Sequence, residues 1–229
     1  MKNISVGMDD KGNLIKSNIL LKVTKKEYAD DIRAGKLYMK SLSYFRSLEQ
    51  KGVGDDSEGF VASGEEAQIV YEGQVLGHAK NWKLHINCFV FCTLSVEFEE
   101  NENGQNEFIV PSNFMEEFMF DGNSEYVMLM INRAAFIKRV ERAMTKTELG
   151  WCFGNVEYTD DTSAISPEEW YRAALRKRKE FAHQHECRLI VEAAGEDYYV
   201  LNIGDISDIT EMIPLENYKG DIEIGVQFL

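Results

Sequence analysis

Three short runs of apolar, β-forming residues constrain this chain most. They are Cys88–Leu94 (Cys-Phe-Val-Phe-Cys-Thr-Leu), Tyr126–Ile131 (Tyr-Val-Met-Leu-Met-Ile) and Cys187–Val191 (Cys-Arg-Leu-Ile-Val). Each is strand-sized and lacks the polar side of an amphipathic helix, so each reads as a strand of a central sheet. Further strands are expected at Ile19–Val23, Leu37–Met39, Trp151–Tyr158, Tyr198–Ile203, Thr210–Ile213 and Ile222–Phe228. Gln68–Tyr71 and Gln74–Leu76 flank Glu72-Gly73 and read as a hairpin. Helices are fewer. Thr24 and Glu27 have the spacing of a capping box and open a short helix that Gly35 ends, with Ala29 and Ile32 inward. Ser43–Arg46 reads as a helical turn and Phe114–Phe120 as a short helix. Arg133–Met144 is amphipathic, with Ala135, Phe136, Val140 and Met144 inward. Ser166-Pro167 is an N-cap followed by proline, opening a helix to about Arg178. Strands outnumber helices and do not alternate with them. The expected fold is therefore α+β, one domain over 1–229, with a central mixed or antiparallel sheet flanked by short helices. Residues 1–18 form an N-terminal hairpin or arm in this reading.

Charge narrows the function. With 25 basic and 39 acidic residues the net charge is -14. A phosphate backbone is repelled by such a chain on average, which argues against a nucleic-acid partner. No window approaches the roughly 18 apolar residues of a membrane span. Asp9, Asp10, Lys11 and Lys16 interrupt Met1–Leu21, so it does not read as a signal peptide. The four cysteines form no Cys-x-x-Cys pair. Cys88 and Cys92 share a strand face about 13 Å apart, too far to hold one zinc ion. Reduced core cysteines, no metal and a cytoplasmic location are the expectation. The Gly- and acid-rich segment Gly52–Gly64 lacks the lysine of a phosphate loop and the spacing of an EF-hand. It is expected to be a mobile acidic loop, because its glycines cost entropy to order and its acids repel one another. The acidic stretch Glu97–Gln105 reads as a solvated turn.

Two stretches carry candidate chemistry. In Lys177–Val191 a polar run enters a strand on which Glu186, Arg188 and Ile190 share one face and Cys187, Leu189 and Val191 the other. Glu186 and Arg188 form either an ion pair at a sheet edge, worth little, or a carboxylate and guanidinium presented to a cleft. In Leu37–Arg46 the aromatic residues are either core or ligand contacts. There Tyr44 can stack on a nucleotide while Arg46 clamps its phosphate, and Arg46 and Glu186 are expected to face one cleft.

Three segments together carry a resemblance. They are Leu21–Asp30 leading into Gly35–Arg46, then Gly54–Gly59, then Val156-Glu-Tyr158 with Phe181-x-x-Gln184-x-Glu186-x-Arg188. The set resembles a group of small proteins of Firmicutes and their phages, related to a broad bacterial domain of unknown function. More loosely, the layout resembles the ADP-ribosyltransferase fold, in which a late strand presents a catalytic glutamate, often within Gln-x-Glu. Gln184-His185-Glu186 matches that position. Where such enzymes often place His or Arg on the first strand, this chain has Lys22-Val23-Thr24, a departure that a binding-only pocket survives. The resemblance implies NAD as ligand or substrate, Glu186 as the catalytic residue if the chain is an enzyme, and Lys22, Thr24, Tyr38, Ser41, Tyr44, Arg46, Gln184 and Arg188 as ligand contacts. Three functions follow. The first is an anti-defence protein of phage or mobile-element origin that sequesters an NAD-derived or cyclic-nucleotide immune signal. The second is an active NAD-dependent ADP-ribosyltransferase. The third is an acidic module that inhibits a protein partner.

Overall fold

A computed structural model describes residues 19–48, 55, 57–96, 99–100, 106–110, 125–166, 169–192, 197–215 and 222–226. The expected arm at 1–18, the helix at Phe114–Phe120 and most of the turn at Glu97–Gln105 lie outside the described residues. The strands are β1 (Ile19–Lys25), β2 (Lys36–Ser41), β3 (Phe60–Tyr71), β4 (Gln74–His85), β5 (Cys88–Val96), β6 (Glu99–Glu100), β7 (Asn106–Val110), β8 (Tyr126–Asn132), β9 (Trp151–Asn155), β10 (Glu157–Tyr158), β11 (Arg176–Lys177), β12 (Glu186–Glu192), β13 (Tyr198–Asn202), β14 (Thr210–Pro214) and β15 (Ile222–Val226). The helices are α1 (Lys26–Arg33), α2 (Leu42–Ser47), α3 (Arg133–Met144) and α4 (Trp170–Ala174), with 3₁₀ turns at Lys179–Gln184 and Ser207–Ile209. The fold is α+β, as the sequence suggests.

Eight strands make one antiparallel sheet that forks at β5. On one edge β5 pairs with β12 along its length, and β12 pairs onward with β9. Two strands share the other edge. β1 joins β5 through Ile19–Leu21 against Leu94–Val96, and β2 joins it through Lys40 and Ser41 against Val90 and Phe89. Beyond the fork β1 runs on to β8 and β14, and β2 to β13. The three apolar runs thus occupy β5, β8 and β12. Their alternate residues explain the two-sided burial. Phe89, Phe91, Cys187, Leu189 and Val191 pack with Phe136 and Val140 of α3 and Ala29 and Ile32 of α1. On the other face Cys88, Val90 and Ile190 pack with Leu42 of α2 and Ala174 of α4.

Four local expectations shift. Thr24 does not cap α1, because it is paired with Val127 in the β1–β8 ladder; the N-cap is Lys25, without a side-chain cap. The helix after Ser166 is five residues long and ends at Ala174, because Arg176-Lys177 is drawn into a parallel bridge with Glu157-Tyr158. That bridge also splits Trp151–Tyr158 at Val156, whose N–H donates to the Glu186 carbonyl at 2.9 Å. The hairpin is far longer than its sequence signal, with twelve residues in each strand, and its turn uses left-handed Glu72 (φ 47°) and Gly73 (φ 79°).

Gly35 follows α1 at φ +87°, and a Cβ there would lie 2.0 Å from the Gly204 carbonyl oxygen. Gly35→Ala is expected to cost roughly 2–4 kcal/mol in urea unfolding, through left-handed strain plus the clash. Gly73→Ala, also left-handed but with nothing within 4 Å, should cost only about 1 kcal/mol. Equal losses at the two positions would refute the close approach of Gly35 to Gly204.

Candidate functional site: a buried ion cluster and a tyrosine face

β12 opens with Glu186, and two residues on, facing the same way, is Arg188. The pair is not at a sheet edge, because β12 lies between β5 and β9. Arg188 is 2% exposed, and its donors are taken by three elements. Nε donates to Glu186 Oε2 at 2.7 Å, Nη1 to the Ala174 carbonyl at 2.8 Å, and Nη2 to Glu58 Oε1 at 2.7 Å. Lys177 completes the cluster. Its Nζ donates to Gln184 Oε1 at 2.6 Å and Glu186 Oε1 at 3.0 Å, and lies 3.3 Å from Glu58 Oε1. The Phe181 ring lies over this ammonium at 4.7 Å. Two cations and two carboxylates therefore neutralise one another. Burial alone would raise the Glu186 pKa, but Arg188 and Lys177 override it and hold the carboxyl at about 2. The Glu186 N–H donates to the Tyr158 hydroxyl at 2.8 Å, and burial holds that phenol above its usual range.

The acidic segment before β3 is a partner in this cluster. In its described part Asp55 is 0% and Glu58 2% exposed, which corrects the reading of these acids as mutually repelling. Asp55 accepts from the N–H and hydroxyl of Ser57 and from the backbone N–H and Nε of Arg178. Burial works against its ionised form, yet these bonds pull its carboxyl below the usual range. The acids do not repel one another because Arg178, Lys177 and Arg188, more than a hundred residues away in sequence, supply the opposing charge. Arg46 lies beside Glu58, with Nη1 donating to the Glu58 and Ile86 carbonyls at 2.9 and 3.2 Å. Arg46 therefore clamps backbone beside Glu58, and its link to Glu186 runs through the cations Arg188 and Lys177 that Glu58 and Glu186 share.

Lys22 marks the fork. Cys92 lies on β5 between the junctions with β1 and β2. Its carbonyl accepts from Lys22 Nζ at 2.7 Å, and the same ammonium lies 4.6 Å from the Phe91 ring centre. Burial lowers the Lys22 pKa, against the opposing pull of Cys92 and Glu186. Thr24 sits in the β1–β8 ladder, and Ser41, 3% exposed, accepts from the Tyr44 N–H and caps α2. The remaining candidates, Tyr38 and Tyr44, are 51% and 43% exposed. They gather with Tyr198 around Lys40, whose Nζ is 4.9 Å from the Tyr44 ring centre, 5.6 Å from Tyr38 and 6.0 Å from Tyr198. Tyr38 and Tyr198 stack at 5.2 Å. A hydrogen bond to Tyr38 raises the Lys40 pKa. The sequence reading missed Lys40 and Tyr198, which the β2–β13 ladder places opposite each other. It also missed Asp55 and Glu58 as buried groups.

Comparison with protein-family models, with curated proteins and with solved structures finds no match. Among the described residues no helix is long and apolar enough to cross a membrane.

Two outcomes test the cluster. Arg188→Met leaves Glu58 and Glu186 with Lys177 as the one cation they share and is expected to cost about 3–5 kcal/mol of stability. A loss under about 1 kcal/mol would place the pair in solvent screening. The Glu186 carboxyl is depressed in the folded state, from 4.5 to about 2. Its stabilisation is therefore complete above the unfolded value and drains away as pH falls from about 4.5 towards 2. Urea melts across that window should lose less stability in Glu186→Gln than in the parent chain.

Proposed function

We propose that this protein binds a small nucleotide-derived ligand and holds it without turnover. The ligand is an NAD-derived or cyclic-nucleotide signal, and the setting is the cytoplasmic contest between phage and host. The observation that carries the reading is the Lys40 ammonium set among three half-exposed tyrosine rings from β2, α2 and β13. Such rings offer a π-face to a base, worth about 1–3 kcal/mol per stacked base. An ammonium beside them meets a phosphate as a point charge. Binding is favoured over catalysis because both Glu186 oxygens already accept from Lys177 and Arg188. A general acid is not available from a carboxyl held at about 2.

One observation favours a second reading, ADP-ribosyl transfer on an ADP-ribosyltransferase-like fold. Within the cluster Glu186 alone still reaches solvent, its side chain 16% exposed against 2–3% for Glu58, Lys177 and Arg188. A permanently ionised carboxylate at such a position suits an oxocarbenium-like transition state.

Incubation with NAD, followed by chromatography of protein and supernatant, separates the two. Intact nucleotide retained by the protein supports binding, and free nicotinamide supports transfer. Titration with NAD, ADP-ribose and cyclic mononucleotides should show Lys40→Met and Tyr198→Leu each weakening the preferred ligand by roughly tenfold. Arg46→Ala should lower stability and leave affinity within about twofold, since its donor serves backbone carbonyls. Unchanged affinity in both Lys40→Met and Tyr198→Leu would refute the tyrosine face as the binding surface.

A further inference from the structure

We infer that the tyrosine face takes a nucleotide with one singly charged phosphodiester, a cyclic mononucleotide, and that Asp197 is the residue that turns away ligands of higher charge. This selection rests on the reading of that face as the nucleotide surface and decides between its two ligand classes. Tyr198 is paired with Lys40 in the β2–β13 ladder, so Asp197, one residue before Tyr198, lies beside that pair. Asp197 is exposed. The Lys40 pKa is raised chiefly by the hydrogen bond to Tyr38, and the Asp197 carboxylate acts in the same direction. Lys36 shares the Lys40 face of β2 and is bridged to Asp31 at 3.0 Å. Arg46 is turned to the Glu58 and Ile86 carbonyls. The charges of Lys36, Asp31, Lys40 and Asp197 sum to zero, in a chain of net charge -14.

Such a surface attracts an anion through direct contact with one ammonium. A lysine meets a phosphate as a point charge, without the two-pronged grip of a guanidinium. A phosphodiester brings one negative charge, which Lys40 matches. A phosphate monoester is close to doubly charged at neutral pH, and a pyrophosphate carries a second charged phosphate. The additional charge meets the Asp197 carboxylate at a separation too short for salt to screen. The rings agree with a small ligand. Tyr38 and Tyr198 stack on each other at 5.2 Å with 23° between their planes, so each has one face already used. Tyr44 has Lys40 over its ring and Phe45 edge-on to it at 5.6 Å. What the face offers is a platform for one base beside one ammonium.

Equilibrium titration of the full chain with cyclic AMP, cyclic GMP, AMP, ADP-ribose and NAD, at one fixed ionic strength, tests the selection. The cyclic nucleotides are expected to bind about tenfold tighter than the other three. Asp197→Asn keeps the shape of an exposed side chain and removes its charge, so it should narrow that gap by about threefold or more. AMP, ADP-ribose or NAD binding as tightly as the cyclic nucleotides, while Lys40→Met still weakens them, overturns the selection and leaves the tyrosine face as the nucleotide surface. A chain that binds none of the five overturns both. A preference that Asp197→Asn does not narrow overturns Asp197 as its source.

Discussion

A guanidinium cannot shed its proton in a protein, so burying Arg188 obliges the surrounding chain to supply acceptors and negative charge. Glu186 is local, two residues back on β12. The Ala174 carbonyl comes from the end of α4, and Glu58 from a segment 130 residues earlier. Once Glu58 is drawn in, its backbone carbonyl receives Arg46 of α2. Three residues before it, Asp55 holds Arg178 just past β11. One buried charge therefore fixes the positions of α2, the segment leading into β3, the end of α4, β11 and β12. The cost of breaking such a set exceeds its net contribution, because every remaining member would be left charged and dry. That asymmetry supplies specificity of arrangement more than raw stability.

The parts of the fold legible in the sequence are those decided by local pattern. Continuous apolar runs became β5, β8 and β12, and the 3.6-residue spacing of Phe136, Val140 and Met144 became the buried side of α3. The turn foreseen at Ser43–Arg46 became α2, which Ser41, two residues before it, caps. What was not legible depends on partners far away in the chain. Thr24 has the sequence of a cap and is taken by the β8 ladder instead. Arg176-Lys177 continues a helical pattern and is taken by β10. Asp55 and Glu58 look like solvated acids because nothing within fifty residues announces Arg178, Lys177 and Arg188. Glu186 and Arg188 were visible as a pair on one strand face, but their burial depends on α4, Glu58 and Lys177 covering that face. Lys40 was passed over for the opposite reason. A lysine on a short strand is ordinary until β13 places Tyr198 across from it.

The two candidate regions lie on one face of the sheet. Lys40 is opposite Val90, and Val90 is opposite Ile190; directly opposed residues share a face, and Arg188 is two residues from Ile190. The backbones of β2 and β12 are two strand spacings apart, about 10 Å. Between them Leu42 of α2 and Ala174 of α4 cover Val90 and Ile190. The tyrosine face is therefore a surface region on one side of an apolar cover, and the ion cluster lies at its other side. The fork adds a third polar point. There the Cys92 carbonyl would be left without a strand partner, and the Lys22 ammonium supplies the missing donor.

This layout bears on binding against turnover. Stabilising a developing positive charge requires a negative potential at the reacting centre. The summed charge of Glu58, Glu186, Lys177 and Arg188 is zero, so beyond the nearest few ångströms their fields largely cancel. Glu186 can act only on a group in direct contact with its small exposed edge, and each of its oxygens is already polarised towards a cation. At the tyrosine face the balance differs. Lys40 is partly exposed and set among rings whose faces favour its charge, with Asp197 the carboxylate that acts on it, so its ammonium is the cation that the proposed anionic ligand would meet. A molecule that presents a phosphate and a flat ring gains from that face without any bond in it being weakened. These fields suit the proposed retention of an intact nucleotide better than the alternative of its cleavage.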